Sequence, residues 1–147
     1  MDFKGKVVVI TGASSGIGKA LSYAFTDRGA KVVMGARHSA KLAEIAGEIL
    51  SRGGEAVFEE TDVTQEAECK RLIDKAISAF GGIDILICNA GISMRALFDD
   101  VQLDVLHQLM DVNFWGTVYC AKYALPYLQA SKGSLVGVSS VAGIHGL

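Results

Sequence analysis

Three glycines and two serines fall within eight residues near the start of the chain, where positions 11–18 read TGASSGIG. Glycines permit tight or left-handed turns and let a phosphate approach the main-chain amides. A helix that starts inside such a loop adds unpaired N–H groups and the positive end of its dipole. The loop therefore predicts a pyrophosphate cradle. Its candidate residues are Gly12, Ser14, Ser15, Gly16, Ile17 and Gly18.

The spacing of the glycines excludes two common kinds of phosphate-binding loop. A Walker A loop needs a glycine where this chain has Ala13, and a magnesium-binding Ser or Thr where it has Ala20. The G-x-G-x-x-G form is also absent, because the glycines follow G-x-x-x-G-x-G. A glycine-rich turn between strand and helix, without a ligand, is the structural alternative.

The elements that position this loop alternate along the chain. Short apolar or β-branched runs predict strands at 6–11, 30–36, 55–60, 84–89 and 134–139. Apolar residues at helical spacing predict helices at about 16–28, 39–52, 65–80 and 100–130. Each connection is long enough for a crossover helix, and strands 1, 4 and 5 are nearly continuously apolar, which is typical of strands covered on both faces. The pattern predicts an α/β fold with a doubly wound parallel sheet.

The loop T-G-x-x-x-G-x-G after the first strand, followed by Asn89-Ala90-Gly91 after the fourth, resembles the classical short-chain dehydrogenases/reductases. The resemblance implies a Rossmann-type sheet of order 3-2-1-4-5 with helices on both faces and its C-terminal strands and helices missing. It implies that Asn89, Ala90 and Gly91 pass beside the cofactor, with Cys88 replacing the family's first asparagine. It also implies that Asp62 and Val63 contact the adenine ring.

The same resemblance implies two catalytic residues. Asn113 matches an asparagine that sits at a helix distortion and takes part in a proton relay, and Ser140 matches the serine that hydrogen-bonds the substrate oxygen. The family's Y-x-x-x-K is absent from these 147 residues. Taken singly, Asp62 also fits a helix N-cap, and Asn113 a polar helix position; Asn89 and Ser140 also fit turns.

The end of the second strand bears on the cofactor. An NAD site usually carries a carboxylate there for the ribose 2′-OH, but positions 35–38 read GARH. Arg37 is suited to pair with a 2′-phosphate, so we expect NADP(H) rather than NAD(H). A solvated loop arginine is the alternative interpretation of Arg37. His38, the next residue, either adds a contact or faces water, and we expect it to face water.

Composition excludes several functions. The net charge is −2 with no basic stripe, which argues against nucleic acid, and no apolar run approaches the length of a membrane-spanning helix. The three cysteines have spacing typical of neither zinc sites nor disulfide frameworks, so we expect no metal and reduced thiols in a cytoplasmic protein. The resemblance implies a homodimer or homotetramer, with the helix at 100–130 as a candidate contact.

We expect one dinucleotide-binding domain over 1–147, truncated at its C-terminal end, because strand 5 would otherwise be an uncovered apolar edge. Substrate candidates follow strands 4 and 5. They are Ile92, Ser93, Met94, Arg95 and positions 142–147, including Ile144 and His145. The main hypothesis is an NADP(H)-dependent oxidoreductase acting on an alcohol/carbonyl pair. A non-catalytic dinucleotide-binding module or inactive fragment, and a dehydratase or epimerase on the same fold, are the alternatives.

Overall fold

Five parallel strands form one sheet, in the order β3–β2–β1–β4–β5, in the computed structural model, which describes residues 3–141. The strands are β1 Val7–Thr11, β2 Lys31–Ala36, β3 Glu55–Glu60, β4 Ile85–Cys88 and β5 Ser134–Gly137. The helices are α1 Gly16–Thr26, α2 Ser39–Ser51, α3 Glu66–Phe80, α4 Leu103–Met110 and α5 Gly116–Ser131. The predicted Rossmann-type topology and strand order are confirmed.

The core lies in two layers, one on each face of the sheet. Alternate residues of β1 point to opposite faces, so Val7 and Val9 pack with α3 and α5, whereas Val8 and Ile10 pack with α2. All five residues of β1 are buried, as expected of a central strand covered on both sides. The sheet is thereby held rigid at its centre, where β1 has β2 on one side and β4 on the other.

The prediction of one helix over 100–130 is wrong in detail. The helical region starts at Leu103, and a π-helical turn, Asp111–Trp115, separates α4 from α5. A π turn adds one residue to a helix without ending it, so the helical region continues from α4 into α5 while the apolar face shifts at the turn.

The outer strand β5 corrects a second expectation. Its apolar run predicted cover on both faces, but all four of its residues are exposed in the described part of the chain. Leu135 and Val136 in this strand are 50% and 42% exposed. Between residues 3 and 141, no helix has the length and apolar character needed to span a membrane.

Candidate functional site

A cleft of about 380 Å³ opens at the carboxyl edge of the sheet, where the chain leaves β1 for β2 on one side and β4 lies on the other. This is the switch point at which doubly wound sheets bind ligands. Every predicted cofactor residue except Gly18 lines the cleft. The lining is Gly12, Ser14, Ser15, Gly16, Ile17, Ala36, Arg37, His38, Thr61, Asp62, Val63, Asn89, Ala90, Gly91, Ile92 and Val112.

The glycine loop is packed too closely for side chains at two positions. Gly12 has φ +66°, and a Cβ there would come within 2.9 Å of the Ala90 Cα. A Cβ on Gly18 would overlap the Gly12 carbonyl oxygen and lie 2.7 Å from Asn89 Nδ2. Gly18 therefore shapes the loop from behind the cleft instead of lining it.

The first turn of α1 faces the cleft with its amides available. Ser15 is the N-cap residue, yet its side chain makes no capping hydrogen bond. The first N–H groups of a helix have no partner within the helix and form a site for anions. Ile17, an apolar residue 61% exposed, lines the same cleft and offers a surface for an apolar part of a ligand.

A buried junction joins the ends of β1 and β4. The Thr11 hydroxyl oxygen accepts hydrogen bonds from the backbone N–H groups of Asn89 and Ala90, both at 3.0 Å. Asn89 Nδ2 donates in return to the carbonyls of Thr11, at 3.0 Å, and Gly12, at 3.3 Å. Asn89 thus fixes the glycine loop against the segment after β4, a structural role that accompanies its place in the cleft.

The cleft wall at the end of β2 carries positive charge. Arg37 and His38 are both exposed, and both lie in the wall of the cleft. The reason is that α2 starts directly after β2, with His38 as its N-cap, and this short connection keeps both residues beside the cleft. Ala36, at the last position of β2, supplies no carboxylate.

The wall at the end of β3 is polar and ordered. Asp62 Oδ1 accepts hydrogen bonds from the Thr64 backbone N–H at 3.0 Å and its hydroxyl at 2.8 Å, and the Asp62 N–H donates to Glu68 Oε2 at 2.7 Å. Asp62 therefore both stabilises the turn into α3 and lines the cleft. Val63 is buried against Gly116, which has no side chain to displace it.

Asn113 lies in the π-helical turn, at the helix distortion that the resemblance implied. Its Oδ1 accepts from the Ile92 N–H and its Nδ2 donates to the Ile92 carbonyl, both at 2.9 Å. The carboxamide thus clamps the segment after β4 to the helix. Ser140 follows β5 at the same edge of the sheet; neither it nor Asn113 is among the residues that line the cleft.

The substrate candidates are only partly described. Ser93, Met94 and Arg95 are exposed in an irregular segment after β4, whereas positions 142–147, with Ile144 and His145, lie outside the described residues. The cleft therefore contains one of the candidates, Ile92.

The three cysteines are buried, free thiols beneath the site. Burial raises the pKa of Cys88 to about 11, so at neutral pH it is a packing thiol below Asn89 and not a reactive thiolate. The adjacent Cys69 and then burial also raise the pKa of Cys120. Across residues 3–141, no three His, Cys, Asp or Glu side chains are grouped to hold a metal ion.

Sequence reasoning missed several lining residues and the Thr11 hydroxyl. Ala36 and Thr61 each lie at the carboxyl end of a strand, where doubly wound sheets bind ligands, and this position could have identified them as lining residues. Val112 comes from a helix more than twenty residues beyond β4, and no local pattern indicates its approach.

The fold and the cleft define an α/β protein with a dinucleotide-type cradle. The sequence profile of the short chain dehydrogenase family matches residues 6–147, and the chain belongs to that family. It is 41% identical over 141 residues to an 11-beta-hydroxysteroid dehydrogenase A of Sesamum indicum, covering 95% of this chain and 40% of the relative. An uncharacterized oxidoreductase of Listeria monocytogenes is 40% identical over 145 residues, covering 98% of this chain and 58% of the relative.

Solved structures agree with this assignment. A short-chain type dehydrogenase/reductase from Mycobacterium marinum superposes with a TM-score of 0.93 at 35% identity, covering 99% of this chain and 60% of that one. An alcohol dehydrogenase from Thermococcus sibiricus, complexed with 5-hydroxy-NADP, superposes with a TM-score of 0.86 at 30% identity, covering 88% of this chain and 56% of that one. The chain thus spans roughly half the length of its relatives.

Proposed function

We propose that this protein is an NADP(H)-dependent oxidoreductase that acts on an alcohol/carbonyl pair. The observation that carries the cofactor choice is Arg37 in the cleft wall, with Ala36 at the strand end where an NAD site usually has a carboxylate. A guanidinium forms charge-assisted hydrogen bonds with a phosphate, whereas a carboxylate there would repel it. Complexation of the Thermococcus sibiricus neighbour with 5-hydroxy-NADP supports the proposal.

The cradle fits a dinucleotide. The backbone of the glycine loop approaches the segment after β4 so closely that a Cβ on Gly12 would enter the space between them. We assign the pyrophosphate to the α1 amides with Ser14 and Ser15, the 2′-phosphate to Arg37, and the adenine ring to Asp62 and Val63. Asn89, Ala90 and Gly91 line the remaining side of the cleft.

The bound nicotinamide supplies the hydride chemistry, and the residues of this chain bind and orient. We assign Ser140 to hydrogen-bond the substrate oxygen. Asn113 positions Ile92 through its carboxamide, and we assign it to the proton relay as well. The tyrosine and lysine implied by the family are not among these 147 residues, so turnover belongs to a polypeptide that supplies them.

The second candidate is a dinucleotide-binding module without catalysis, since neither Asn113 nor Ser140 is among the residues that line the cleft. NADPH oxidation with a panel of ketones and aldehydes distinguishes the two, because binding without oxidation supports the module. A dehydratase or epimerase would convert substrate without net consumption of the nicotinamide.

We also propose a cytoplasmic homodimer or homotetramer. Exposed apolar residues on the α4–α5 face support the assembly, including Leu103, Met110, Phe114 and Trp115, which are 69%, 52%, 50% and 43% exposed. A surface of this character is typical of protein–protein contacts.

The cofactor proposal is tested with Arg37→Asp. We expect NADP+ affinity to fall by at least about tenfold, because an attractive charge becomes repulsive, while NAD+ affinity changes little. Isothermal titration calorimetry measures both constants. Arg28→Asp is the control, since Arg28 is an exposed arginine just after α1 that donates to the Ala24 carbonyl, away from the cleft. Equal losses for the two cofactors would contradict the proposal.

A further inference from the structure

We propose that Glu68 is a positioning residue that holds Asp62 in the orientation needed to recognise the amino group of the adenine base. This role rests on the proposed function, because it acts on the adenine contact assigned to Asp62 and Val63. The Asp62 backbone N–H donates to Glu68 Oε2 at 2.7 Å, although Glu68 itself is not among the residues that line the cleft.

This hydrogen bond joins the end of an outer strand to the helix that follows it. The chain leaves β3 at Glu60, and the Thr61 N–H still donates to the Ala36 carbonyl of β2, at 3.0 Å. The next donor, the Asp62 N–H, is instead satisfied by a carboxylate from the first turn of α3. A hydrogen bond to an ionised acceptor is shorter and stronger than one between neutral groups. Glu68 therefore fixes the backbone at the position that carries the Asp62 side chain.

The Asp62 carboxylate keeps one oxygen for a ligand. Both hydrogen bonds that the described residues give this carboxylate fall on Oδ1, from the Thr64 N–H at 3.0 Å and the Thr64 hydroxyl at 2.8 Å. Oδ2 remains as the acceptor for a ligand in the cleft. The Gln65 N–H donates to the Asp62 carbonyl at 3.0 Å and closes the turn without Glu68. Loss of the Glu68 carboxylate should therefore release the direction of the Asp62 side chain and leave the turn in place.

The Glu68 carboxylate is itself held on both sides. Arg71 Nη2 lies 3.3 Å from Glu68 Oε1, and Arg71 Nε lies 3.8 Å from Glu59 Oε1. Each oxygen of Glu68 thus has its own partner, Arg71 for one and the Asp62 N–H for the other. Because the Arg71 side chain is 53% exposed, its ion pairs add little stability. Its charge offsets the repulsion between the Glu68 and Asp62 carboxylates.

An oriented carboxylate oxygen distinguishes purine bases by the group at C6. Adenine carries an amino group there, which donates hydrogen bonds, whereas hypoxanthine carries a carbonyl oxygen, which the carboxylate repels. A site with a fixed acceptor rejects an analogue that lacks the donor, because the acceptor is then left unpaired. A carboxylate that is free to turn away avoids this penalty. Selection of the base therefore depends on the orientation that Glu68 imposes on Asp62.

Calorimetry on the purified full chain tests this role by comparing NADP+ with its 6-deamino analogue, nicotinamide hypoxanthine dinucleotide phosphate. The ratio of the two affinities isolates the amino group, and a general loss of stability does not change it. In the wild type we expect NADP+ to bind at least about fivefold more tightly. In Glu68→Ala we expect this ratio to fall by at least about threefold. Glu68→Gln retains an oxygen for the Asp62 N–H and should keep the ratio within about twofold of the wild type.

Two more variants separate the hydrogen bond from other effects of the substitution. Glu68→Asp keeps the negative charge in the first turn of α3 but shortens the side chain, so it should lower the ratio even if the alanine variant does not fold. Glu66→Ala is the matched control. Glu66 lies in the same turn, but its carboxylate accepts from the Tyr123 hydroxyl at 2.6 Å and from Lys122 Nζ at 3.1 Å, both on α5. This variant should keep the wild-type ratio.

The outcomes separate the role of Glu68 from the proposed function. A ratio that is unchanged in Glu68→Asp and in any folded Glu68→Ala, or lowered as much in Glu68→Gln or Glu66→Ala, would overturn the inference and leave the proposed function standing. A wild type that binds the two dinucleotides equally would do the same, since Asp62 would then not recognise the amino group. A chain that binds neither dinucleotide would overturn both.

Discussion

Replacing Thr11 by valine tests whether the junction between β1 and β4 organises the cleft. Thr11 is 2% exposed, and its hydroxyl oxygen is the acceptor for the N–H groups of Asn89 and Ala90. Valine has nearly the same shape, so the change removes the acceptor without opening a cavity. Two partly buried N–H groups then lose their partner.

The expected loss of stability follows from leaving two N–H donors without a hydrogen-bond partner. Each unsatisfied N–H group costs about 1–3 kcal/mol, so the unfolding free energy should fall by about 2–6 kcal/mol. The melting temperature should fall by roughly 4–24 °C, since 1 kcal/mol shifts it by about 2–4 °C in a chain of this size. Dinucleotide affinity should fall as well, because the glycine loop and the segment after β4 lose two of the bonds between them.

Thr26→Val is the matched control. Thr26 is 8% exposed, and its hydroxyl donates to the carbonyls of Ser22 and Tyr23 within its own helix, so its loss leaves no N–H unpaired. We expect it to cost less than about 1 kcal/mol. Urea unfolding followed by circular dichroism measures both variants. Equal destabilisation by the two substitutions would refute the role assigned to Thr11.

Two further variants test the packing of the glycine loop and the edge of the sheet opposite the cleft. Gly18→Ala should lower the free energy of unfolding by at least about 1–3 kcal/mol and impair NADP+ binding, because its Cβ would overlap the Gly12 carbonyl oxygen. Gly47→Ala is the control, since Gly47 lies in open space on α2, and it should raise the free energy of unfolding by about 0.5–1 kcal/mol. Similar stabilities of the two variants in urea would count against the overlap. For Asp84, burial favours the neutral form, but the hydrogen bonds from Lys6 at 2.7 Å and the Val7 N–H at 2.9 Å outweigh it and lower the pKa. The lowered pKa of Asp84 adds stability above about pH 4, and this stability is lost as the pH falls through the folded-state pKa. Asp84→Asn should therefore be less stable than the wild type by roughly 1 kcal/mol at neutral pH and equally stable in acid. A stability difference that stays constant with pH would contradict this.

The sheet could be predicted because its signals are local. The apolar run of β1, the glycine loop and the alternation of strands and helices each follow from a few adjacent residues, and the ends of the five strands lie within two positions of the predicted ones. Apolar spacing predicted one helix over 100–130 and did not locate the π turn at Asp111–Trp115; only the resemblance implied a distortion there, at Asn113.

In the site, too, features that depend on adjacent residues could be predicted, whereas contacts between distant residues could not. Arg37 was identified from the sequence because an expected carboxylate is missing beside it. The double hydrogen bond between Asn113 and Ile92, and the bonds from Asn89 and Ala90 to Thr11, join residues 21, 78 and 79 positions apart. No spacing rule connects residues at such separations.

The sequence by itself determined the class of fold, the glycine loop after β1 and the charge at the end of β2, since these depend on backbone freedom, apolar periodicity and residue type over short distances. Only the tertiary structure decided which side chains share the cleft. It brought Thr61 and Val112 to the cleft, joined the Asn113 carboxamide to the Ile92 backbone, and placed Gly18 behind the loop, because packing of the sheet against its helices sets those distances.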